Sequence, residues 1–405
     1  MSFSSTKFQQ KGIYAIDILR NMWYYTPMRL TYKYRLFPTS AQRTSLDRVL
    51  ELCCWVYNDT LAARRNAYEQ EQKSLGLYDT NKLLTQWKAA KPALKKVHSQ
   101  VLQNVQERVD LAFKAFFRRV KAGEEPGYPR FKGKGLYDSF TFKQSGFKLV
   151  GDRLTISKVG DVRIKLHRPI CGDIKTLTIQ RDSVGNWYAC FSCECEAETL
   201  PTNHNVVGID LGLTTFAYFS NGDKIARQRW MKQDAKDIAR LQRKKEKFAK
   251  GSVERRKVVH ALCHAYERAA NRRNNFAHQE SRKLVNEYQF IAFEKLDIQD
   301  MQVNGGKTIS RGIADVAWGQ FVQFTTYKAA NAGRGVALVN PRGTTQECSG
   351  CGVIVPKDLS VRIHDCPHCG LKLSRDHNAA LNILARGLAS INAGSPDEVV
   401  EAHSL

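Results

Sequence analysis

Residues 348–384 read CSGCGVIVPKDLSVRIHDCPHCGLKLSRDHNAALNIL, and the rest of the chain is organised around them. They contain two Cys-x-x-Cys pairs separated by a short polar loop, Cys348 with Cys351 and Cys366 with Cys369. Two such pairs are typical of a tetrahedral zinc site with four thiolate ligands. Because protein atoms fill all four ligand positions, we predict one Zn²⁺ ion with a structural role, bound by these four cysteines.

An aspartate follows the second cysteine pair at the start of a predicted helix. Asp376 precedes an apolar stripe of Ala380, Ile383 and Leu384, which share one side of a helix. A carboxylate placed at a helix start beside a zinc module suggests a second metal site, with a catalytic role. Such a site needs carboxylate partners from elsewhere in the chain.

Two more carboxylates end apolar strand patterns. Asp210 ends the run that begins at Val206, and Glu294 ends the run that begins at Phe290. In an open β-sheet core, strand ends are where sites assemble. Taken singly, an aspartate after a strand is more often a helix cap or a turn residue.

Three such carboxylates in a basic chain favour a shared site. Asp210, Glu294 and Asp376 would repel one another if they converged without bound cations. Two Mg²⁺ or Mn²⁺ ions, about 3.5–4 Å apart, would satisfy them and would suit hydrolysis of a phosphodiester. We therefore predict that these three residues are catalytic and that they bind the metal ions.

The charge of the chain indicates a polyanionic partner. The 405 residues include 63 Lys and Arg against 39 Asp and Glu, a formal net charge of +24. Nucleic acid is the commonest partner of such an excess, and a merely solubilising surface is the alternative. No stretch approaches the ~18 consecutive apolar residues of a membrane helix, so we expect no membrane association.

The other metal-like residues have simpler explanations. Cys190, Cys193 and Cys195 alternate along a strand pattern and are better explained as core residues than as ligands. His260 and His264, with Cys263 between them, form a weak trio on a predicted helix. Scattered cysteines without a disulfide framework suit a reducing compartment.

Hydrophobic periodicity divides the chain into segments of an α/β multidomain protein. Predicted helices with basic outer faces are followed by short predicted strands with alternating apolar residues. Apolar strands interleaved with helices come after them. Residues 301–311 read as a flexible loop. We predict an N-terminal extension (1–27), a β-barrel (28–39 and 127–203) with an inserted helical lobe (40–126), an open-sheet domain (204–342 and 373–390) with an inserted zinc ribbon (343–372), and a flexible tail (391–405).

Three motifs make a family resemblance specific. Gly208–Gly212, Phe293–Leu296 and Arg375–Ala380 resemble the three motifs of the RuvC-type RNase H fold. With the four-cysteine ribbon placed before the third motif, the chain resembles the transposon-encoded TnpB (OrfB) proteins, compact relatives of type V CRISPR effector nucleases. Four further stretches resemble the family pattern: Tyr34–Thr39, Val56–Asn58, Gly127–Phe131 and Asp315–Gly319.

The resemblance implies a fold and an activity. It implies a wedge-type β-barrel with an inserted recognition lobe, followed by a RuvC-like domain that carries the zinc ribbon. It implies an RNA-guided DNA endonuclease, whose guide RNA comes from the transposon end and whose single Mg²⁺-dependent RuvC site cuts double-stranded DNA next to a short transposon-adjacent motif. A cytoplasmic, nucleoid-associated prokaryotic protein is then expected.

Candidate nucleic-acid contacts lie on two predicted helices and in the recognition lobe. The basic residues lie on two long predicted helices, and the recognition lobe is expected to approach the adjacent motif. They are Arg243, Lys244, Lys245, Arg272 and Arg273 on the helices, and Tyr57 and Asn58 in the lobe.

Two alternative functions remain open. One is a guided DNA-binding regulator of transposition that does not cleave, and the other is a resolvase-like or transposase-like strand-transfer enzyme. The family often has an acidic residue at the position of Ser374, but the catalytic aspartate is present as Asp376.

Overall fold

The computed structural model describes residues 28–133, 135–358 and 360–392. They form two compact units, a first unit of Arg29–Cys195 and a second unit that begins at Glu196. The predicted extension 1–27 and residues 393–405 of the predicted tail lie outside the described residues. The domain boundaries proposed from the sequence remain predictions.

The first unit is built on a seven-stranded antiparallel sheet. The strand at the start of the chain lies inside this sheet, between two strands from much later in the sequence, as the barrel prediction requires. Among the described residues the two edge strands, β2 and β3, do not pair with each other, so backbone hydrogen bonds do not close the sheet into a complete barrel. Its order is β2-β6-β7-β1-β5-β4-β3, with β1 (Met28–Phe37), β2 (Ser139–Phe142), β3 (Phe147–Val150), β4 (Arg153–Ile156), β5 (Gly160–Lys165), β6 (Asp173–Arg181) and β7 (Trp187–Cys195).

Helices are inserted between the first two strands of this sheet. A capping box starts the first helix, because the Thr39 hydroxyl accepts from the Gln42 backbone and the Gln42 side chain accepts from the Thr39 backbone. The helices and strands share one apolar core. The helices are α1 (Ser40–Glu71), α2 (Leu77–Ala90) and α3 (Ser99–Lys121), with a 3₁₀ turn at Pro92–Lys96.

The second unit contains a five-stranded mixed sheet. Three strands are parallel and buried on both faces, and every residue of β11 is buried. The sheet order is β10-β9-β8-β11-β12, with β8 (Val206–Leu211), β9 (Thr215–Phe219), β10 (Lys224–Ala226), β11 (Phe290–Glu294) and β12 (Gly335–Val339). A small hairpin, β13 (Ile363–Asp365) and β14 (Lys372–Ser374), precedes the last helix.

Six helices complete the second unit. One face of the sheet packs on α5 and α8, and the other packs on α9. The helices are α4 (Trp230–Glu246), α5 (Val253–Glu287), α6 (Ile298–Asn304), α7 (Gly306–Val316), α8 (Trp318–Asn331) and α9 (Arg375–Asn392). Throughout the part of the chain described above, no helix has the length and apolar character to cross a membrane.

One expectation about a flexible segment was wrong. Residues 301–304 lie in α6 and residues 306–311 lie in α7, with Gly305 between the two helices. Ser310 of α7 donates to the Gln302 carbonyl of α6. Helix α9 extends to Asn392, and Ile391 packs in the core.

Helix α9 lies directly on strand β8 because Gly208 has no side chain. A Cβ atom at this position would lie 2.2 Å from the Ala380 carbonyl oxygen and 2.5 Å from the Leu384 nitrogen. Both are backbone atoms of α9 and cannot move aside as a side chain could. A second glycine, Gly387, lets the same helix approach Ala292 on β11.

We expect Gly208→Ala to lower the free energy of unfolding of the second unit by about 1–3 kcal/mol or more, because the added methyl group overpacks the contact between strand and helix. Urea unfolding of the purified chain measures this change. Gly127→Ala is the matched control, since a Cβ there meets nothing within 4 Å and its φ is ordinary. Equal unfolding midpoints for Gly208→Ala and wild type would contradict the packing.

Candidate metal centres

Two of the three predicted carboxylates lie side by side at one edge of the sheet. Strands β8 and β11 are parallel, with Ile209 paired to Phe293. Asp210 and Glu294 each follow this pair by one residue, so they lie at the carboxyl ends of adjacent strands. Glu294 is buried and Asp210 is partly buried.

The third carboxylate reaches the same edge from helix α9. Asp376 is the second residue of α9 and lies one turn before Ala380, which contacts Gly208. The Ser374 hydroxyl accepts from the His377 backbone and caps the helix start. A serine at the position that is often acidic in the family therefore has a structural role.

The three carboxylates interact electrostatically. Burial raises the pKa of Asp210 to about 8, the negative charges of Glu294 and Asp376 add to the rise, and Arg375 opposes it. Burial also raises the pKa of Glu294, against the hydrogen bond from Thr344 and the positive charge of Arg386. Such a site is unfavourable for three anions unless cations neutralise it.

The donor chemistry of this site fits Mg²⁺ or Mn²⁺, which prefer oxygen ligands. In the described ranges, one group of at least three metal-ligating side chains has all its ligand atoms within 4.8 Å of one another. This group is the four ribbon cysteines. Three carboxylates that converge here could hold two such ions about 3.5–4 Å apart.

The four ribbon cysteines are brought together as predicted. The sulfur atoms of Cys348 and Cys369 lie 3.6 Å apart, and those of Cys351 and Cys366 lie 3.7 Å apart. Backbone amides of Cys369 and His368 lower the pKa of Cys366 to about 6. Four cysteine sulfur atoms at this spacing could hold one Zn²⁺ ion, which each would bind as a thiolate.

Side chains of helix α9 form hydrogen bonds to the segment that leads from β12 into the ribbon. The sequence analysis did not identify this feature. Asn378 donates to the Glu347 carbonyl over 2.7 Å, and Asn382 donates to the same carbonyl over 2.7 Å. Arg386 donates to the carbonyls of residues 340 and 342. The three side chains are spaced four residues apart, so they share one face of the helix, and this spacing can be recognised in the sequence.

Comparison with known proteins places the chain in a family. A helix-turn-helix domain model of the OrfB_IS605 type matches residues 28–73, the OrfB_IS605 model described as "Probable transposase" matches 190–304, and a Cas12f1-like TNB domain model matches 318–383. Over 375 residues the chain is 32% identical to a Streptomyces pristinaespiralis protein named as a proposed RNA-guided DNA endonuclease, with 91% of each chain covered. This chain belongs to the TnpB (OrfB) family.

Two further matches agree with the TnpB assignment. InsQ of Escherichia coli strain K12, also named as a proposed RNA-guided DNA endonuclease, is 29% identical over 382 residues, covering 90% of this chain and 93% of InsQ. A solved complex of Cas12f1 with sgRNA and target DNA has a TM-score of 0.56 at 12% identity and covers 88% of this chain and 98% of that one. The second match shows a shared fold with the type V effector.

The basic residues predicted to contact nucleic acid differ in their surroundings. Arg243 and Lys244 are exposed, and Lys245 forms an ion pair with Glu246 at 3.0 Å. Arg272 is paired with Asp234, and Arg273 donates to the Ala314 carbonyl over 3.2 Å. Contact of all five with nucleic acid stays a prediction, and Arg272 also has a structural role.

The two lobe residues have internal partners. Tyr57 is 7% exposed and packs beside Tyr137. The Asn58 amide donates to the Lys132 carbonyl over 2.9 Å and accepts from the Lys132 nitrogen over 2.8 Å. These contacts join α1 to the loop that carries the Gly127–Phe131 motif, and DNA contact by either residue stays a prediction.

The weaker metal-like groups do not assemble a site among the described residues. Cys193 and Cys195 are buried on one face of β7 and Cys190 lies on the other, as the strand pattern predicts. The rings of His260 and His264 lie 4.6 Å apart, and neither the trio with Cys263 nor the strand cysteines form a group of three close ligand atoms.

We expect the purified chain to carry one zinc ion per molecule. Cys366→Ser should lower the zinc content and the melting temperature, because the metal closes the ribbon. Elemental analysis and thermal unfolding measure the two effects. Cys190→Ser, a free cysteine outside the cluster, is the control; equal zinc contents in wild type and Cys366→Ser would rule out this ligand set.

The raised pKa of Asp210 predicts a pH dependence for the Mg²⁺-free chain. The folded state favours the neutral carboxyl up to pH 8, whereas the unfolded carboxyl ionises near pH 4. The unfolded state therefore binds fewer protons in this window, and stability falls as pH rises towards 8. We expect this slope in melting temperature between pH 6 and 8, with zinc retained.

The Asp210→Asn variant has no ionisable group at this position. The part of the pH dependence of the melting temperature that comes from Asp210 should therefore disappear. Added Mg²⁺ should also reduce the slope in wild type, because a cation favours the ionised form. An identical pH dependence for Asp210→Asn and wild type in the absence of Mg²⁺ would show that folding does not raise the pKa of Asp210.

Proposed function

We propose that the chain is an RNA-guided DNA endonuclease that hydrolyses phosphodiester bonds at one RuvC-type site. The observation that carries the proposal is the convergence of Asp210, Glu294 and Asp376 at one edge of the sheet. Two strands and one helix position them, and burial, with the charges of Glu294 and Asp376, raises the pKa of Asp210. The names of the aligned TnpB relatives support the same activity.

The residues of the site contribute position and charge. Asp210 and Glu294 present carboxylates from rigid, buried strands, and Asp376 presents a third from the first turn of α9. Bound Mg²⁺ would supply an activated water and stabilisation of the leaving oxygen of the scissile phosphodiester. Arg375, with its guanidinium 3.3 Å from the Asp376 carboxylate, orients that side chain.

The partners follow from the charge and from the family. A net charge of +24 suits a long polyanion, and a guide RNA transcribed from the transposon end would provide it. Base pairing would then read the target, and the protein would read a short duplex motif beside it. The protein would act in the prokaryotic cytoplasm at the nucleoid, with the ribbon zinc as a structural ion.

Strand transfer is the second candidate, because the family model that matches residues 190–304 is described as "Probable transposase". A strand-transfer enzyme would join DNA ends, whereas a guided nuclease leaves cut ends. A regulator that binds without cleaving is less favoured, because it has no need of three converging carboxylates.

The proposal is tested by purifying the chain from cells that carry its native flanking DNA and sequencing the RNA that co-purifies. We expect one discrete RNA species and Mg²⁺-dependent cleavage of a duplex that matches its guide segment. Joined products without a discrete RNA would favour strand transfer and overturn the guided model.

Asp210→Ala should abolish cleavage and retain the RNA, since it removes a metal ligand and no basic residue. Asp152→Ala is the matched control, because Asp152 is an exposed carboxylate in the first unit. Cleavage by Asp210→Ala at the wild-type rate would refute the active-site assignment.

A further inference from the structure

A hydroxyl group from the loop before the ribbon reaches the proposed active site. The Oγ1 atom of Thr344 donates to Oε1 of Glu294 over 2.5 Å, between residues 50 positions apart. Thr344 is 1% exposed and Glu294 is 9% exposed, so water does not compete for this hydrogen bond. A hydrogen bond to a charged group in such surroundings is stronger than one between neutral groups.

The hydroxyl does not need Glu294 in order to be satisfied. The Pro341 carbonyl lies 3.1 Å from Oγ1 of Thr344 and would accept its proton. Other buried threonines of the chain donate to a carbonyl one turn earlier in their own helix, as Thr60 does to Val56 and Thr325 to Phe321. Thr344 differs because its partner is a carboxylate on another element.

The backbone of Thr344 is itself held in place by helix α9. Asn382 donates to the Thr344 carbonyl over 2.8 Å. Arg386 binds the carbonyls of Asn340 and Arg342, which precede it. The hydroxyl therefore has a fixed position relative to the helix that also carries Asp376.

We propose that Thr344 is a positioning residue that fixes the rotation of the Glu294 carboxylate, so that its second oxygen is presented for metal binding. The inference rests on the proposed function for its catalytic meaning. Both carboxylate oxygens rotate together about the Cγ–Cδ bond of Glu294. A hydrogen bond that fixes Oε1 therefore also fixes the direction of Oε2. The segment that leads into the zinc ribbon thereby helps to build the catalytic site.

The direct test replaces the hydroxyl with a methyl group in Thr344→Val, which has nearly the same shape. We expect the Mn²⁺ affinity of the full chain without DNA, measured by electron paramagnetic resonance, to fall about 10-fold, as is usual when the partner of a metal ligand is lost. Thr344→Ser keeps the hydroxyl and should stay within about 2-fold of wild type. The Mg²⁺ concentration for half-maximal cleavage should shift in the same order.

Thr345→Val is the matched control, because it makes the same change at the next residue, which is only partly buried. Zinc content and melting temperature report whether each variant is folded, and Thr344→Ala replaces Thr344→Val if the latter unfolds. Unchanged Mn²⁺ affinity in Thr344→Val, or an equal loss in Thr344→Ser, would overturn the positioning role.

Failure of the proposed function gives a different pattern. If wild type cleaves nothing yet Thr344→Val weakens Mn²⁺ binding, the endonuclease proposal fails and the positioning role stands. If wild type cleaves and Asp210→Ala does not, while Mn²⁺ affinity is the same in all Thr344 variants, the endonuclease activity stands and the positioning role fails.

Discussion

The contact between helix α9 and strand β8 is the constraint on which the rest of the second unit depends. At Gly208 the strand and helix backbones approach so closely that even a methyl group would meet the Ala380 carbonyl. This approach brings the first turn of α9, and therefore Asp376, to the end of the strand that carries Asp210. A larger residue at position 208 would lift the helix and separate the carboxylates.

The same helix connects the two candidate metal sites. Its buried asparagines and Arg386 bind the segment between β12 and the ribbon, and that segment places Thr344 against Glu294. The four cysteines close the ribbon around their own site a few residues further on. The candidate zinc site and the proposed catalytic site are thus both supported by one helix, although no side chain is shared between them.

The candidate ligands could be proposed from the sequence because each lies at a recognisable position. The cysteine pairs have zinc spacing, and the carboxylates end apolar runs whose burial the structure confirms. Thr344 could not be found in this way, because its partner is 50 residues away and only the folded chain brings them together. Residues 301–311 were mistaken for a loop because Gly305 and Gly306 read as turn signals, whereas they join two helices.

The central claim is that Asp210, Glu294 and Asp376 share one divalent-cation site. Anomalous diffraction from crystals of the zinc-loaded chain soaked in Mn²⁺ tests it most directly. The account predicts Mn²⁺ peaks within about 2.5 Å of carboxylate oxygens from all three residues. Mn²⁺ bound elsewhere, or a peak that contacts only one of the three carboxylates, would contradict it.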